Sequence, residues 1–129
     1  MTAFVQWSQD QGGTWCTLSE VELEHTSFDG VEGVYIIWHR DQESLTLRVG
    51  QGPIRERLAQ ERKNGRLLAY GLSKLAVTWA QVNPLHREAV VSYLSTTLKP
   101  KFGESYPGKE KIQVNLPWTS RSPQVPNLP

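Results

Sequence analysis

The chain has 129 residues, 38% hydrophobic and 21% charged, with a formal net charge of +1; that length suits one domain with one core, and the near balance of charge leaves no whole-molecule field to steer a polyanion, so any nucleic-acid binding must rest on a local basic patch. The single cysteine, Cys16, excludes an internal disulfide framework and a cysteine-rich zinc site and points to a reducing compartment. The first residues lack the basic-then-apolar order of a secretion signal, and no apolar run approaches the ~20 residues of a membrane span, so the expected location is the cytoplasm, with no membrane partner.

Residues 1–29 read as an N-terminal packing extension. Within it Gly12-Gly13 marks a turn, and Ser19-Glu20-Val21-Glu22 has the capping-box form that opens a short helix. From Gly33 the pattern sharpens: Val34-Tyr35-Ile36-Ile37-Trp38 is β-branched and aromatic, Arg40-Asp41-Gln42-Glu43 is polar, and Leu45-Thr46-Leu47-Arg48-Val49 alternates, which together describe a β-hairpin. Gly50-Gln51-Gly52-Pro53 stops the second strand, and the proline opens a helix over residues 53 to about 62, where its missing N–H would have been unpaired anyway. Ile54 and Leu58 share the face that sits on the sheet, while Arg55, Arg57 and Arg62 charge the other directions. Lys63-Asn64-Gly65-Arg66 closes the helix as a basic turn.

Residues 67–74 carry no clear period. Residues 75–82 read as a third strand, half buried through Leu75, Val77 and Trp79; Asn83-Pro84 ends it and opens a helix to about residue 98. That helix buries Val90 or Val91 with Leu94 and Leu98 and stops because Pro100 pushes Lys99 out of the helical region. A short strand is expected over residues 112–116, and residues 119–129 form a loose proline-rich tail. The order β-β-α-β-α describes an α/β chain of the α+β kind, with a three-stranded, mainly antiparallel sheet flanked by helices.

Gly33-Val34-Tyr35, a short hairpin connection, Arg48-Val49-Gly50, Arg57 on the following helix and a later helix ending Leu98-Lys99-Pro100 form an ordered set. This set resembles the core of the GIY-YIG nuclease superfamily and covers residues 30–103. The resemblance implies phosphodiester hydrolysis: the first-strand tyrosine, Tyr35, helps deprotonate a water, Arg57 holds the phosphate, and a glutamate on the later helix binds one divalent cation, Mg²⁺ or Mn²⁺. A phenol with a pKa near 10 is a poor base unless positive charge lies close. A guanidinium suits phosphate because it stays charged and offers a planar fork.

Three departures bear on activity. Arg48 stands where the second motif carries its tyrosine, and the connection from Gly50 to Arg57 is one residue shorter than the commonest family spacing. Val91 stands where the metal-binding glutamate belongs, and valine has no oxygen for a hard cation. Glu88, three residues earlier, is the substitute ligand on the same helix, although a carboxylate there is also favoured simply by the helix dipole; Glu104 is a more distant candidate.

Other features carry less. His25, His39 and His86 are scattered without an i, i+4 pair and read as structural or exposed. Among five tryptophans, Trp38 and Trp79 are expected in the core. Gly50-Gln51-Gly52 lacks the Gly-Lys-Ser/Thr ending of a nucleotide loop, though a helix start attracts phosphate in any context.

Three readings remain open. In the first, a nucleic-acid-binding domain with lost or weakened cleavage contacts DNA or RNA phosphates through Arg48, Arg55, Arg57, Arg62, Lys63 and Arg66. In the second, an active metal-dependent endonuclease uses Glu88 or another carboxylate such as Glu104. Val91→Glu is expected to create or raise Mg²⁺-dependent nicking if Tyr35 and Arg57 face the same cleft. In the third, the fold serves as a scaffold for a protein partner.

Overall fold

The computed structural model describes residues 2–9, 13–103, 106 and 108–118; Gly12, Glu104 and the expected tail lie outside the described residues. Its elements run β1 (Thr2–Ala3), β2 (Cys16–Thr17), β3 (Glu32–His39), β4 (Gln42–Pro53), α1 (Ile54–Glu61), α2 (Gly65–Leu68), β5 (Leu75–Gln81), α3 (Arg87–Leu98) and β6 (Gln113–Val114), with short 3₁₀ turns at Thr26–Phe28, Leu72–Lys74 and Pro84–His86. The fold is mixed α+β. Four strands form an antiparallel sheet in the order β2-β5-β3-β4, and β1 pairs in parallel with β6. The expected β-β-α-β-α core is β3-β4-α1-β5-α3, and the sheet gains β2 as a fourth strand. No helix among the described residues is long and apolar enough to cross a membrane.

β3 is paired on both edges and covered on both faces, so its residues from Gly33 to Trp38 are buried without interruption. A strand in that position reads as a continuous apolar run, not as an alternation. Its two faces nevertheless have different partners. Val34, Ile36 and Trp38 pack with Val90, Val91 and Leu94 of α3, whereas Tyr35 and Ile37 pack with Ile54 and Leu58 of α1. Ile54 and Leu58 are fully buried and contribute about 1.5–3 kcal/mol each. β5 is likewise buried on both faces rather than half buried, with Thr78 at 0% exposure donating to the Ser8 carbonyl at 2.7 Å.

The N-terminal residues are tied to the segment after β6. Asn115, just past β6, accepts from the Val5 N–H at 2.7 Å and donates to the Val5 carbonyl at 3.0 Å, while the Trp7 indole donates to the Asn115 carbonyl. Trp38 lies between the rings of Trp15 and Trp118 at centroid distances of 5.5 and 5.1 Å, and Trp79 lies against Phe28.

The structure corrects several local expectations. Residues 19–22 form no helix: the Glu20 and Val21 N–H groups both donate to the Thr17 carbonyl in a single turn that goes no further, and Val21 and Leu23 are both buried. The Ser19-to-Glu22 capping box is replaced by Thr17, whose hydroxyl donates to Glu20 at 2.9 Å. Residues 67–74, left without period, contain the end of α2, which Asn64 caps by accepting from the Arg66 N–H. The last helix begins at Arg87, after a 3₁₀ turn capped by Asn83, and ends with Lys99 in the left-handed region before Pro100.

The correction with the largest consequence concerns Gly50-Gln51-Gly52-Pro53. These residues do not stop β4. They continue it, with Gly50 opposite Tyr35 and Gly52 opposite Gly33. Both glycines keep the strand bare: a Cβ at Gly50 would lie 2.4 Å from the Tyr35 hydroxyl, and one at Gly52 would lie 3.2 Å from Cγ of Arg57. Gly33 meets a similar limit in the neighbouring strand, where a Cβ would fall 1.9 Å from the Ala80 carbonyl oxygen.

The glycines therefore predict a graded response. Gly33→Ala forces backbone apart and should cost about 3 kcal/mol or more. Gly65→Ala, where a Cβ meets nothing within 4 Å, should be neutral or stabilise by up to ~1 kcal/mol. Chemical denaturation of the two variants tests this, and equal midpoints would contradict the close strand approach.

Candidate functional site

α1 carries a stripe at Ile54, Leu58 and Glu61, spaced four and then three residues apart, and all three side chains are buried. A carboxylate in the third position of an apolar stripe must find donors. Glu61, 3% exposed, finds three: the Tyr35 hydroxyl donates to Oε2 at 2.5 Å, Nε of Arg48 donates to the same oxygen, and Nδ2 of Asn64 donates to Oε1 at 3.1 Å.

Each partner arrives by strand geometry. Tyr35 leaves β3 on the α1 face and crosses the bare backbone of Gly50. Arg48 lies two residues before Gly50 on β4 and shares that face. Arg57, four residues before Glu61 on α1, turns back over Gly52; its Nη1 donates to the Gln51 carbonyl at 2.5 Å and its Nη2 to the Tyr35 hydroxyl at 3.3 Å. The Arg57 guanidinium also sits 5.7 Å from the centroid of the Tyr35 ring. The structure thus brings Tyr35, Arg48 and Arg57 together.

Burial is the main cause that raises the Tyr35 pKa above the ordinary phenol value, and the charge and hydrogen bond of Glu61 raise it further. Arg57 and Arg48 oppose this without reversing it. Burial works against the charge of Arg48, but Glu61 and Tyr35 outweigh it and hold its pKa up. The resulting group is a neutral phenol that donates to the Glu61 carboxylate, with Arg48 on the carboxylate and Arg57 on the phenol. Such a phenol does not act as a base near neutral pH.

No family model matches the chain, and neither the curated proteins nor the solved structures searched contain a match.

The remaining expected phosphate contacts do not join this cluster. Arg55 donates to the Leu23 and His25 carbonyls and to Asp29, at 2.6, 2.8 and 2.8 Å. Arg62 donates to the Leu18 and Val21 carbonyls. Both guanidiniums fasten residues 18–29 to α1, which corrects the picture of free helix charges. Lys63 lines a cleft of about 720 Å³ between α1 and residues 19–25, together with Arg55, Arg62, Glu22 and Glu24. Arg66 is exposed and lies over the Phe102 ring at 5.5 Å.

Glu88 is half exposed in the first turn of α3, and its Oε1 is 3.4 Å from Nζ of Lys109. Val91 is fully buried on the α3 face of the sheet, opposite the face that carries Tyr35. The two oxygens of Glu61 already receive three donors. Among the described residues no group of three or more histidine, cysteine or carboxylate side chains is placed to hold a metal ion. His25 and His39 each accept a nearby backbone N–H, from Ser27 and Asp41.

Glu61 and Asn64 were not singled out from the sequence. The signal for Glu61 was present as a carboxylate completing the Ile54–Leu58 stripe. Its partners were not legible, because Tyr35 and Arg48 reach it from two strands far away in the chain.

Two outcomes follow. The unfolded chain releases its phenolic proton near pH ~10, whereas folded Tyr35 retains it to higher pH. The raised pKa therefore stabilises the fold fully below pH ~10, and this contribution is lost as pH rises further. Wild type should lose stability more steeply than Tyr35→Phe on that alkaline side, as denaturant titrations at stepped pH would read; parallel curves would unlink the phenol from folding. Val91→Glu should not raise nicking, contrary to the sequence expectation. It buries a carboxylate among Val34, Ile36 and Leu94 and should lower stability by about 3 kcal/mol or more, detectable by thermal melting.

Proposed function

We propose that this chain is a nucleic-acid-binding domain of the GIY-YIG type in which strand cleavage has been lost. The reading is supported by the order of its elements and by the meeting of Tyr35 and Arg57, 22 residues apart in sequence, at 3.3 Å. The observation that carries the loss of cleavage is the Tyr35 hydroxyl. It is buried and donates to Glu61, so it has no proton vacancy with which to activate a water. Arg48, in place of a second tyrosine, pairs its guanidinium with Glu61 inside the fold. The cluster that would catalyse has become one that holds β3, β4 and α1 together.

What remains for a polyanion is the surface beside this cluster, with Lys63 and Arg66 following α1 and Lys101 beside β4. Guanidinium and ammonium groups there contact phosphate without requiring a metal. A reducing cytoplasmic setting, expected from the lone Cys16, accompanies this reading.

Fluorescence anisotropy with labelled DNA and RNA, repeated as salt is raised, tests the binding. Affinity should fall steeply and log-linearly with salt as counterions are released. Incubation of the same strands with Mg²⁺ or Mn²⁺ should leave them intact. Metal-dependent products that vanish in Tyr35→Phe would restore the endonuclease reading, and a flat salt response would favour the protein scaffold.

A further inference from the structure

Seven arginines lie among the described residues, and six give their guanidinium hydrogen bonds to the fold. Arg40 donates to the Ser73 carbonyl, Arg48 to Glu61, Arg55 to Leu23, Arg57 to Gln51, Arg62 to Leu18 and Arg87 to Val82 and Glu32. Arg66 is the exception. Among the described residues its guanidinium has no carboxylate or carbonyl partner and lies 5.5 Å from the centroid of the Phe102 ring.

Both halves of this stack are fixed from below. Arg66 is in the first turn of α2, where its N–H donates to the Asn64 side chain at 3.0 Å, and Asn64 is itself tied to Glu61. Phe102 belongs to a segment laid along β4, the edge strand of the sheet: Lys101 N–H donates to the Thr46 carbonyl at 3.1 Å and Phe102 N–H to the Leu47 carbonyl at 3.0 Å. Gly103, at φ 150°, lets the chain lie so close to Val49 that a Cβ would fall 2.9 Å from its carbonyl oxygen. The Phe102 ring is half buried against the core that holds Leu47, Leu58 and Leu67.

A guanidinium supported on one side by an aromatic ring and exposed to solvent is a ready surface for a second π system. Lys101 precedes Phe102, Lys63 precedes Asn64, and both lysines are exposed.

We infer that Arg66 on Phe102 is a stacking platform for an unpaired base, and that the preferred partner is single-stranded nucleic acid, with Lys63 and Lys101 contacting its backbone. The inference rests on the nucleic-acid reading above and adds the strand state and the recognising residue. Bases in a duplex are stacked on one another and cannot offer a face to a protein surface plane, whereas a single strand presents one at each nucleotide.

The test uses a labelled single strand of about 15 nucleotides, within the range one small domain covers, and its duplex, with wild type, Arg66→Lys and Arg66→Ala. Arg66 is exposed, so the variants should keep the wild-type melting temperature. Arg66→Lys keeps the charge and removes the plane. It should weaken single-strand binding roughly tenfold while leaving duplex affinity and the salt dependence unchanged, and Arg66→Ala should weaken both. A 2-aminopurine placed in the single strand should be quenched by wild type and less so by Arg66→Lys. Wild-type binding with Arg66→Lys indistinguishable from it, or a preference for duplex, overturns the platform and leaves the nucleic-acid reading standing. Failure of wild type to bind either strand overturns both.

Discussion

A carboxylate inside a protein must be matched by donors or it unfolds what surrounds it, and Glu61 is matched from three directions at once. Tyr35 reaches it from the central strand, Arg48 from the edge strand, and Asn64 from the turn that follows its own helix. These bonds set the position of α1 on the sheet as firmly as the packing of Ile54 and Leu58 does. They also account for the tyrosine's protonation: burial and the Glu61 carboxylate both raise its pKa. Loss of one partner would leave an uncompensated charge, so the members of the cluster constrain one another.

The space for that cluster is made by what β4 omits. Gly50 and Gly52 lie on the face that receives Tyr35 and Arg57, and the strand remains paired to β3 throughout. Side chains there would have pushed the tyrosine off the sheet and separated it from Glu61. Two glycines in a strand normally weaken it; here the weakness is offset by the ring and the guanidinium that lie over them.

Arginine serves three purposes in this chain. Arg55 and Arg62 tie the irregular residues 18–29 to α1, Arg48 and Arg57 balance the buried phenol and carboxylate, and Arg66 rests on an aromatic ring at the surface. Equal residue types thus have unequal availability to a ligand, and charge counted along a helix overstates what a polyanion can meet. The proposed binding function rests on the cations that the fold leaves exposed.

The sequence by itself determined the hairpin, the helix after Pro53, the strand over residues 75–81 and the helix ending before Pro100, because each is encoded by short-range pattern: β-branched runs, an apolar stripe, and proline at a boundary. It also singled out Tyr35 and Arg57. Only the tertiary structure decided that Gly50-Gln51-Gly52 is strand, that residues 19–22 form no helix, and that Glu61 is the group on which Tyr35 and Arg48 converge. The physical reason is range. Propensity and periodicity act within a few residues, whereas a glycine kept bare for a ring on the next strand, or a carboxylate satisfied from two strands at once, is defined by neighbours that the chain brings together only on folding.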